Sequence, residues 1–285
     1  MRCRRGESGA ASVIACCSCE DVREFGMRSC LILGSGRSGT SMLAGSLASA
    51  GYYMGEHLYA PRSSNPKGFF EDREVNDINE ALIAQVTPAR PSPPLGRLFR
   101  SRPASGQRWL SEVPLRSSMP CSAEIGRRIE RQAANGPFCF KDPRFCYTLP
   151  AWRPHVGDAG FLCVFREPSR TAHSILRECR EARYLRSLRM DFAKAVRIWT
   201  LMYRHVVDVH RTVGDWLFVH YEQVLDRSAF PRIRDTLGIE PEDGFPDPVL
   251  SRSPHVGDVG IEARETYALL CELAGYRPAR AATVG

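Results

Sequence analysis

The chain has 285 residues, of which 43% are hydrophobic and 25% are charged, and its formal net charge is +7. This balance is typical of a folded globular protein and excludes a disordered or collagen-like chain. No apolar run approaches the roughly 20 residues that a membrane-spanning helix needs. The basic residues form no tract or repeat, so the positive charge favours small anionic ligands over nucleic acid.

The eleven cysteines and seven histidines show neither a disulfide framework nor the spacing of metal ligands. The one Cys-x-x-Cys pair, Cys16 and Cys19, has no second pair to complete a zinc site. Scattered cysteines without a framework predict reduced thiols, and therefore a cytoplasmic protein with no structural metal.

The predicted elements alternate between short apolar strands and amphipathic helices. An apolar run over 29–33 and a helix over 39–50 form a strand–loop–helix unit. For residues 1–26, which precede this unit, we expect a disordered tail or an over-extended reading frame that properly starts at Met27. Further helices are expected over 74–84, 122–135, from Pro168, over 192–213 and over 261–274, with strands over 138–141, 161–165 and 216–220. This order predicts an α/β fold, with a central parallel sheet covered by helices on both faces, in a single domain over 27–285.

One stretch interrupts this alternation. Residues 87–120 are rich in Pro, Ser and Arg, which break helices and strands alike. We expect a long surface excursion there, either a loop that covers the substrate or a disordered insertion.

The most specific motif is the glycine-rich loop GSGRSGTS at residues 34–41, between the first strand and the first helix. Glycines let consecutive backbone N–H groups face one anion, and the helix N-terminus adds its dipole. The spacing from Gly34 to Gly39 matches a P-loop, but Thr40 stands where the lysine of a P-loop belongs. The loop therefore predicts a phosphate-bearing ligand and argues against phosphoryl transfer, with Arg37 as a substitute cation.

A second anion-binding pair is expected one strand–helix unit later. Arg166 follows the strand over 161–165, and Ser174 lies eight positions further on the next helix. Six residues of helix rise about 9 Å, a span that an extended arginine side chain largely bridges. Both side chains are therefore expected to reach one phosphate.

These two motifs together resemble those of sulfotransferases that use 3′-phosphoadenosine 5′-phosphosulfate (PAPS), in particular a bacterial branch similar to carbohydrate sulfotransferases. The segments 65–71 and 141–144 look like further elements of that branch, and the segment 220–222 resembles its Tyr-Glu segment near the adenine. The resemblance implies a P-loop-related fold and PAPS as co-substrate. It also implies a set of donor-binding residues, which here are Gly36, Arg37, Ser38, Gly39, Thr40, Ser41, Arg166, Ser174 and Tyr221.

The sequence departs from the family pattern at two places. Met42 stands where the animal cytosolic enzymes have a tryptophan against the adenine. The late Arg-Lys-Gly loop is missing, and residues 251–253 (Ser-Arg-Ser) are a poor substitute for it.

The resemblance also suggests catalytic residues. Arg37 and Lys141 would stabilise the sulfate and the leaving phosphate. Glu71 is the first candidate for the base, because carboxylates have that role in several of the enzymes that the chain resembles and because the neighbouring Asp72 would raise its pKa. Asp142 is the second candidate.

We therefore expect a sulfotransferase that moves a sulfuryl group from PAPS to the hydroxyl of a small-molecule or carbohydrate acceptor. A P-loop kinase or phosphotransferase with an atypical lysine is the first alternative, and it requires a metal-binding Asp, for which Asp142 is the candidate. A non-catalytic nucleotide-binding protein of the same fold is the second. Phe99 and Trp109 are the few aromatic residues within the excursion, and they predict no clear platform for a sugar.

Overall fold

The computed structural model describes residues 26–62, 65–92, 94–247 and 257–278. Its centre is an all-parallel sheet with the strand order β2-β1-β3-β4. In this register Leu31 pairs with Phe140 on one side and with Phe161 on the other. The strands are β1 (Cys30–Leu33), β2 (Cys139–Lys141), β3 (Gly160–Phe165) and β4 (Trp216–His220).

Helices connect the strands and cover both faces of the sheet. The helices are α1 (Thr40–Ser49), α2 (Arg73–Ala84), α3 (Ala123–Ala133), α4 (Phe145–Trp152), α5 (Pro168–Glu181), α6 (Phe192–Arg204), α7 (Tyr221–Leu225), α8 (Phe230–Leu237) and α9 (Gly260–Leu273). A π-helical turn over His205–His210 continues α6, and short 3-10 helices lie at Leu95–Arg97, Arg108–Leu110, Arg153–His155 and Arg183–Leu185. No helix in the described ranges is both long and apolar enough to cross a membrane.

Alternate residues of the central strands point into two separate cores. Leu31 and Leu33 pack into the larger core, whereas Cys30 and Ile32 pack into the other, which also contains Leu43 of α1. Because side chains alternate between the faces of a strand, a sheet covered on both faces buries every position. The predicted α/β fold, with a parallel sheet between two helical layers, is confirmed.

The strands lie where the apolar runs predict them, but three helices, α4, α7 and α8, were not predicted. Helix α7 has only five residues. Helix α4 contains Pro150 and is buried at almost every position, so it has neither an amphipathic period nor a clean helical composition. Helix α8 is short and begins next to a proline. The helix predicted over 192–213 is α-helical only as far as Arg204.

The segment over 87–120 packs onto the domain around a buried cluster. Trp109, Leu110 and Val113 are buried there, and they join the larger core. Residues 1–25, and with them nearly all of the predicted tail, lie outside the described residues.

Candidate functional site

The glycine-rich loop runs from the end of β1 to the start of α1. Gly34 has φ +145°, and a Cβ there would lie 2.0 Å from the carbonyl oxygen of Val164 in β3. The backbone N–H of Ser35 donates to the Tyr203 hydroxyl at 3.0 Å, and that hydroxyl donates to the same Val164 oxygen at 2.8 Å. The loop is therefore fixed against the neighbouring strand and α6 before any ligand arrives.

The loop ends at Gly39, which occupies the N-cap position of α1 with φ +93°. A Cβ on Gly39 would lie 2.5 Å from the ring of Tyr221, so glycine is required here both by backbone conformation and by the close approach of this ring. Glycine has no side chain with which to cap the helix, and the first-turn N–H groups of a helix have no intrahelical acceptor. The start of α1 is thus suited to an anion.

Arg37 joins the two predicted phosphate-binding motifs. It has φ +73°, an unusual conformation for a residue other than glycine. Its Nε donates to Ser174 Oγ at 3.2 Å, and its NH1 lies 3.5 Å from Glu178 Oε2. The fold therefore brings Arg37 and Ser174 together across 137 residues of sequence.

Arg166 leaves the end of β3 and lies over the Tyr221 ring, with 4.2 Å between its guanidinium carbon and the ring centroid. Its carbonyl oxygen accepts from the Trp199 indole at 3.1 Å, so the buried Trp199 has a structural role in the core. Burial lowers the pKa of Arg166. A buried arginine over an aromatic ring is preorganised for an anionic ligand.

These residues surround a first cavity of about 320 Å³. It is lined by Arg37, Thr40 and Ser41 from the loop, by Arg166 and Ser174 from the second motif, and by Tyr221. Seven of the predicted donor-binding residues therefore line one space: Arg37, Gly39, Thr40, Ser41, Arg166, Ser174 and Tyr221. Ser38 is buried outside this lining, with its Oγ 3.5 Å from Thr171 Oγ1. Gly36 lies outside this lining and faces the ring of Trp109, which a Cβ on Gly36 would approach to 2.4 Å.

Beside the loop, Lys141 at the end of β2 forms a buried ion pair with Glu71. Lys141 Nζ also donates to Ser41 Oγ at 3.3 Å, and Asn76 Nδ2 donates to the second oxygen of Glu71 at 3.1 Å. An ammonium thus reaches the phosphate loop from a neighbouring strand rather than from position 40. Burial raises the pKa of Glu71, but Lys141 and Arg144 outweigh it and hold that pKa below its ordinary value.

The expectation that Asp72 raises the pKa of Glu71 is therefore wrong. Asp72 turns away and caps α2, accepting from the backbone N–H groups of Glu74 at 2.9 Å and Val75 at 3.1 Å. Asp72 is next to Glu71 in sequence, but its charge does not raise the pKa of Glu71. Lys141 lowers that pKa instead.

Asp142, the second candidate for the base, has a structural role. It is completely buried, and both of its oxygens are engaged: Asn79 Nδ2 donates to one at 2.9 Å, while Arg144 donates to the other through its backbone N–H at 2.8 Å and its NH1 at 3.0 Å. A carboxylate enclosed in this way has no room for a substrate or a metal ion. This weakens the kinase alternative, which needs Asp142 as a metal ligand.

A second cavity of about 340 Å³ lies on the other side of the loop. It contains Glu71 and Lys141, and it shares Arg37, Thr40 and Ser41 with the first cavity. The two cavities therefore meet where the phosphate loop, the ammonium and the carboxylate lie together. That is the arrangement that a group transfer between two bound molecules requires.

Other residues singled out from the sequence lie at the edge of this region. Met42 lines the first cavity, as does Phe245. Lys67 does not contact the loop: its Nζ donates to the Phe245 carbonyl oxygen at 2.6 Å and lies 3.7 Å from Asp247. The segment 251–253 lies outside the described residues.

Three site residues escaped the sequence analysis. Tyr203 and Glu178 belong to ordinary amphipathic helices, and nothing in their spacing distinguishes a ligand of the loop from a core or surface residue. Tyr184 belongs to a short 3-10 turn with no periodic signal.

Within the described part of the chain, no three His, Cys, Asp or Glu side chains gather closely enough to hold a metal ion. The prediction of a site without a metal stays a prediction.

Comparison with known proteins indicates the type of fold. No protein-family model matches the sequence, and no curated protein matches it. Among solved structures, the sulfotransferase domain from the Synechococcus PCC 7002 olefin synthase matches with a TM-score of 0.50 and 20% identity, over 88% of this chain and 95% of that domain. The sulfotransferase domain from the curacin biosynthetic pathway matches with a TM-score of 0.52 and 12% identity, over 88% and 98%. At these identities the likeness concerns architecture, and this chain has the fold of sulfotransferase domains.

Proposed function

We propose that this protein is a PAPS-dependent sulfotransferase, in the bacterial branch that its motifs resemble, and that it transfers a sulfuryl group to the hydroxyl of a glycan, glycolipid or small-metabolite acceptor. The observation that carries the proposal is the meeting of two cavities at Arg37, Thr40 and Ser41, beside the Lys141–Glu71 pair. The fold shared with sulfotransferase domains supports it.

The residues of the first cavity fit such a donor. Arg166 and Ser174 form one cationic and hydroxyl-bearing end, suited to the 3′-phosphate, and Tyr221 offers a ring between that end and the loop. At the loop, the N–H groups at the start of α1 suit the 5′-phosphosulfate, and Arg37, whose side chain reaches Ser174, would lie between the two anionic groups. When bound, PAPS supplies an activated sulfuryl group whose S–O bond to phosphate breaks as the acceptor oxygen bonds to sulfur.

Glu71 would accept the proton that the acceptor hydroxyl loses. Because Lys141 holds its pKa low, Glu71 is ionised at neutral pH and ready to take a proton, but it is a weak base. Lys141 already contacts Ser41, so negative charge at the loop would draw the ammonium away from Glu71 and strengthen that base. Lys141 and Arg37 would then stabilise the charge that develops on the leaving phosphate.

The cytoplasmic location expected from the sequence forms part of the proposal. Cys30 and Cys139 are buried free thiols that pair in register across β1 and β2. Neighbouring thiols that remain unbonded are suited to a reducing compartment.

The proposal is tested by thermal shift with 3′-phosphoadenosine 5′-phosphate, ADP, and ATP with Mg²⁺. A ligand at 100 times its dissociation constant stabilises a protein by about 2.7 kcal/mol. We expect stabilisation by the 3′-phosphorylated compound, loss of this effect in Arg166→Ala, and its retention in Arg180→Ala, which removes an exposed arginine of α5 outside the cavity.

Two results would contradict the proposal. Stabilisation by ATP with Mg²⁺ alone would favour the kinase alternative. The absence of any response would mean that the first cavity does not bind this donor. Transfer of labelled sulfate from PAPS to an acceptor then separates an enzyme from a non-catalytic nucleotide-binding protein.

A further inference from the structure

The second cavity has walls of aromatic side chains. Tyr59, Phe69, Trp109 and Tyr184 line it, and they come from three separate segments of the chain: the connection between α1 and α2, the turn at Arg108–Leu110 and the turn at Arg183–Leu185. The guanidinium of Arg62 lies over two of these rings, 5.7 Å from the centroid of Phe69 and 5.3 Å from that of Tyr184. Rings that are distant in sequence thus converge around the space that leads to Glu71.

The charged groups deeper in the cavity are already bonded to one another. Glu80 accepts from the backbone N–H groups of Gly106 and Arg108, from Arg108 NH1 and from Arg144 Nε, each at 2.9 Å. Arg144 in turn pairs with the buried Asp142. Glu80 has therefore spent its hydrogen-bonding capacity within the protein.

The same bonds hold the aromatic walls in place. Glu80 anchors the turn that carries Trp109 onto α2, and the side-chain amide of Gln107 donates to the carbonyl oxygen of Tyr184. Gln107 Oε1 also accepts from the backbone N–H of Ala104 at 2.9 Å. The turn is fixed at several points, so the rings form a preorganised wall.

From this combination we infer that the acceptor is a hydroxyl carried on an apolar ring system, rather than a sugar. The inference rests on the proposed function and narrows the chemical class of the acceptor. A sugar presents several hydroxyl groups, each of which must be hydrogen-bonded when it is buried. This cavity offers four rings beside Glu71, and its buried charges Glu80 and Arg144 are bonded within the protein, which suits an apolar ring with a hydroxyl directed at Glu71.

The test compares two ring alcohols, 2-naphthol and 1-naphthylmethanol, with methyl β-glucopyranoside and methyl β-galactopyranoside. Binding of each is measured by calorimetry on the full chain saturated with 3′-phosphoadenosine 5′-phosphate, and sulfate transfer from PAPS is measured by mass spectrometry. We expect binding and transfer with the naphthyl compounds and neither with the glycosides.

Tyr184 supplies the matched pair of variants, because its side chain is 40% exposed and its loss does not open the core. Tyr184→Ala is expected to weaken naphthol binding about tenfold, the effect of one lost aromatic contact, whereas Tyr184→Phe keeps the ring and the affinity. Both variants should bind 3′-phosphoadenosine 5′-phosphate as the wild-type protein does.

Several outcomes would overturn the inference. These are binding or sulfation of a glycoside in preference to the naphthyl compounds, no naphthyl binding to the nucleotide-saturated protein, or equal naphthol affinity in both Tyr184 variants. Each of these leaves the nucleotide response unchanged, so it is distinguishable from failure of the proposed function, in which that response itself is absent.

Discussion

Replacing Lys141 with methionine removes the ammonium that neutralises Glu71 while keeping a side chain of similar length. The Lys141 side chain is 2% exposed and that of Glu71 is 15% exposed, so the pair is shielded from solvent. Removing one partner of a buried ion pair costs about 3–5 kcal/mol of unfolding free energy. Since Asn76 still donates to Glu71, we expect the lower end of this range, about 3 kcal/mol.

The assay is urea unfolding at pH 7 of the wild-type protein, Lys141→Met, Glu71→Gln and the double variant. The double variant should be more stable than Lys141→Met alone, because glutamine leaves no unpaired charge behind. The coupling free energy from the cycle should exceed about 1 kcal/mol, as is typical of residues in direct contact.

The pH dependence gives a second check on the same pair. In Lys141→Met, burial acts on Glu71 without its main counter-charge, so the folded-state pKa of Glu71 rises above the wild-type value. A carboxyl whose folded pKa is raised destabilises the protein at high pH and stops doing so once it is protonated. The stability deficit of Lys141→Met should therefore shrink between pH 7 and pH 5.

One result would refute this reasoning. If Lys141→Met unfolds at the wild-type urea concentration and the cycle is additive, the pair contributes no coupling. Lys141 then cannot be the group that sets the ionisation of Glu71, and the proposed role of the pair in proton transfer is lost with it.

Three further predictions concern the elements around the site. Gly39→Ala should weaken binding of 3′-phosphoadenosine 5′-phosphate at least tenfold, because the new methyl group would meet Tyr221 at 2.5 Å; unchanged affinity by calorimetry would show that the loop adjusts freely. Burial lowers the pKa of His220 to about 3, so below about pH 6.5 the unfolded chain binds more protons than the folded protein. His220 should therefore account for about 2 kcal/mol of the stability lost between pH 7 and pH 5. An equal loss in His220→Asn, which keeps an N-cap for α7, would contradict this. Glu80→Gln should speed amide hydrogen exchange around Trp109, and wild-type protection there would mean that Glu80 does not anchor the turn.

Much of the lining of the first cavity could be predicted from the chain alone because its signals are local. A glycine-rich loop between an apolar strand and a helix specifies a phosphate-binding turn over a few residues. The pair Arg166 and Ser174 is also set by one strand end and one helix, and both side chains line the cavity that Arg37 lines. Both motifs could therefore be predicted from backbone geometry within a single strand–loop–helix unit.

The roles of the carboxylates could not be predicted in this way. Asp72 is adjacent to Glu71 in sequence but caps a helix, whereas Lys141, 70 residues away, forms the ion pair. Asp142 has the sequence context of a functional strand-end residue, and it is enclosed by Asn79 and Arg144. Charge interactions weaken with distance in space and strengthen with burial, and neither quantity is readable from spacing along the chain.

The sequence by itself determined the α/β alternation and the glycine-rich loop between β1 and α1, because these follow from apolar periodicity and from the backbone freedom of glycine. Only the tertiary structure decided that Lys141 contacts the loop, that it forms a buried ion pair with Glu71, and that four rings from three distant segments surround the second cavity. These features are contacts between segments that the parallel sheet brings together at the carboxyl ends of its strands, and such contacts exist only once the chain has folded.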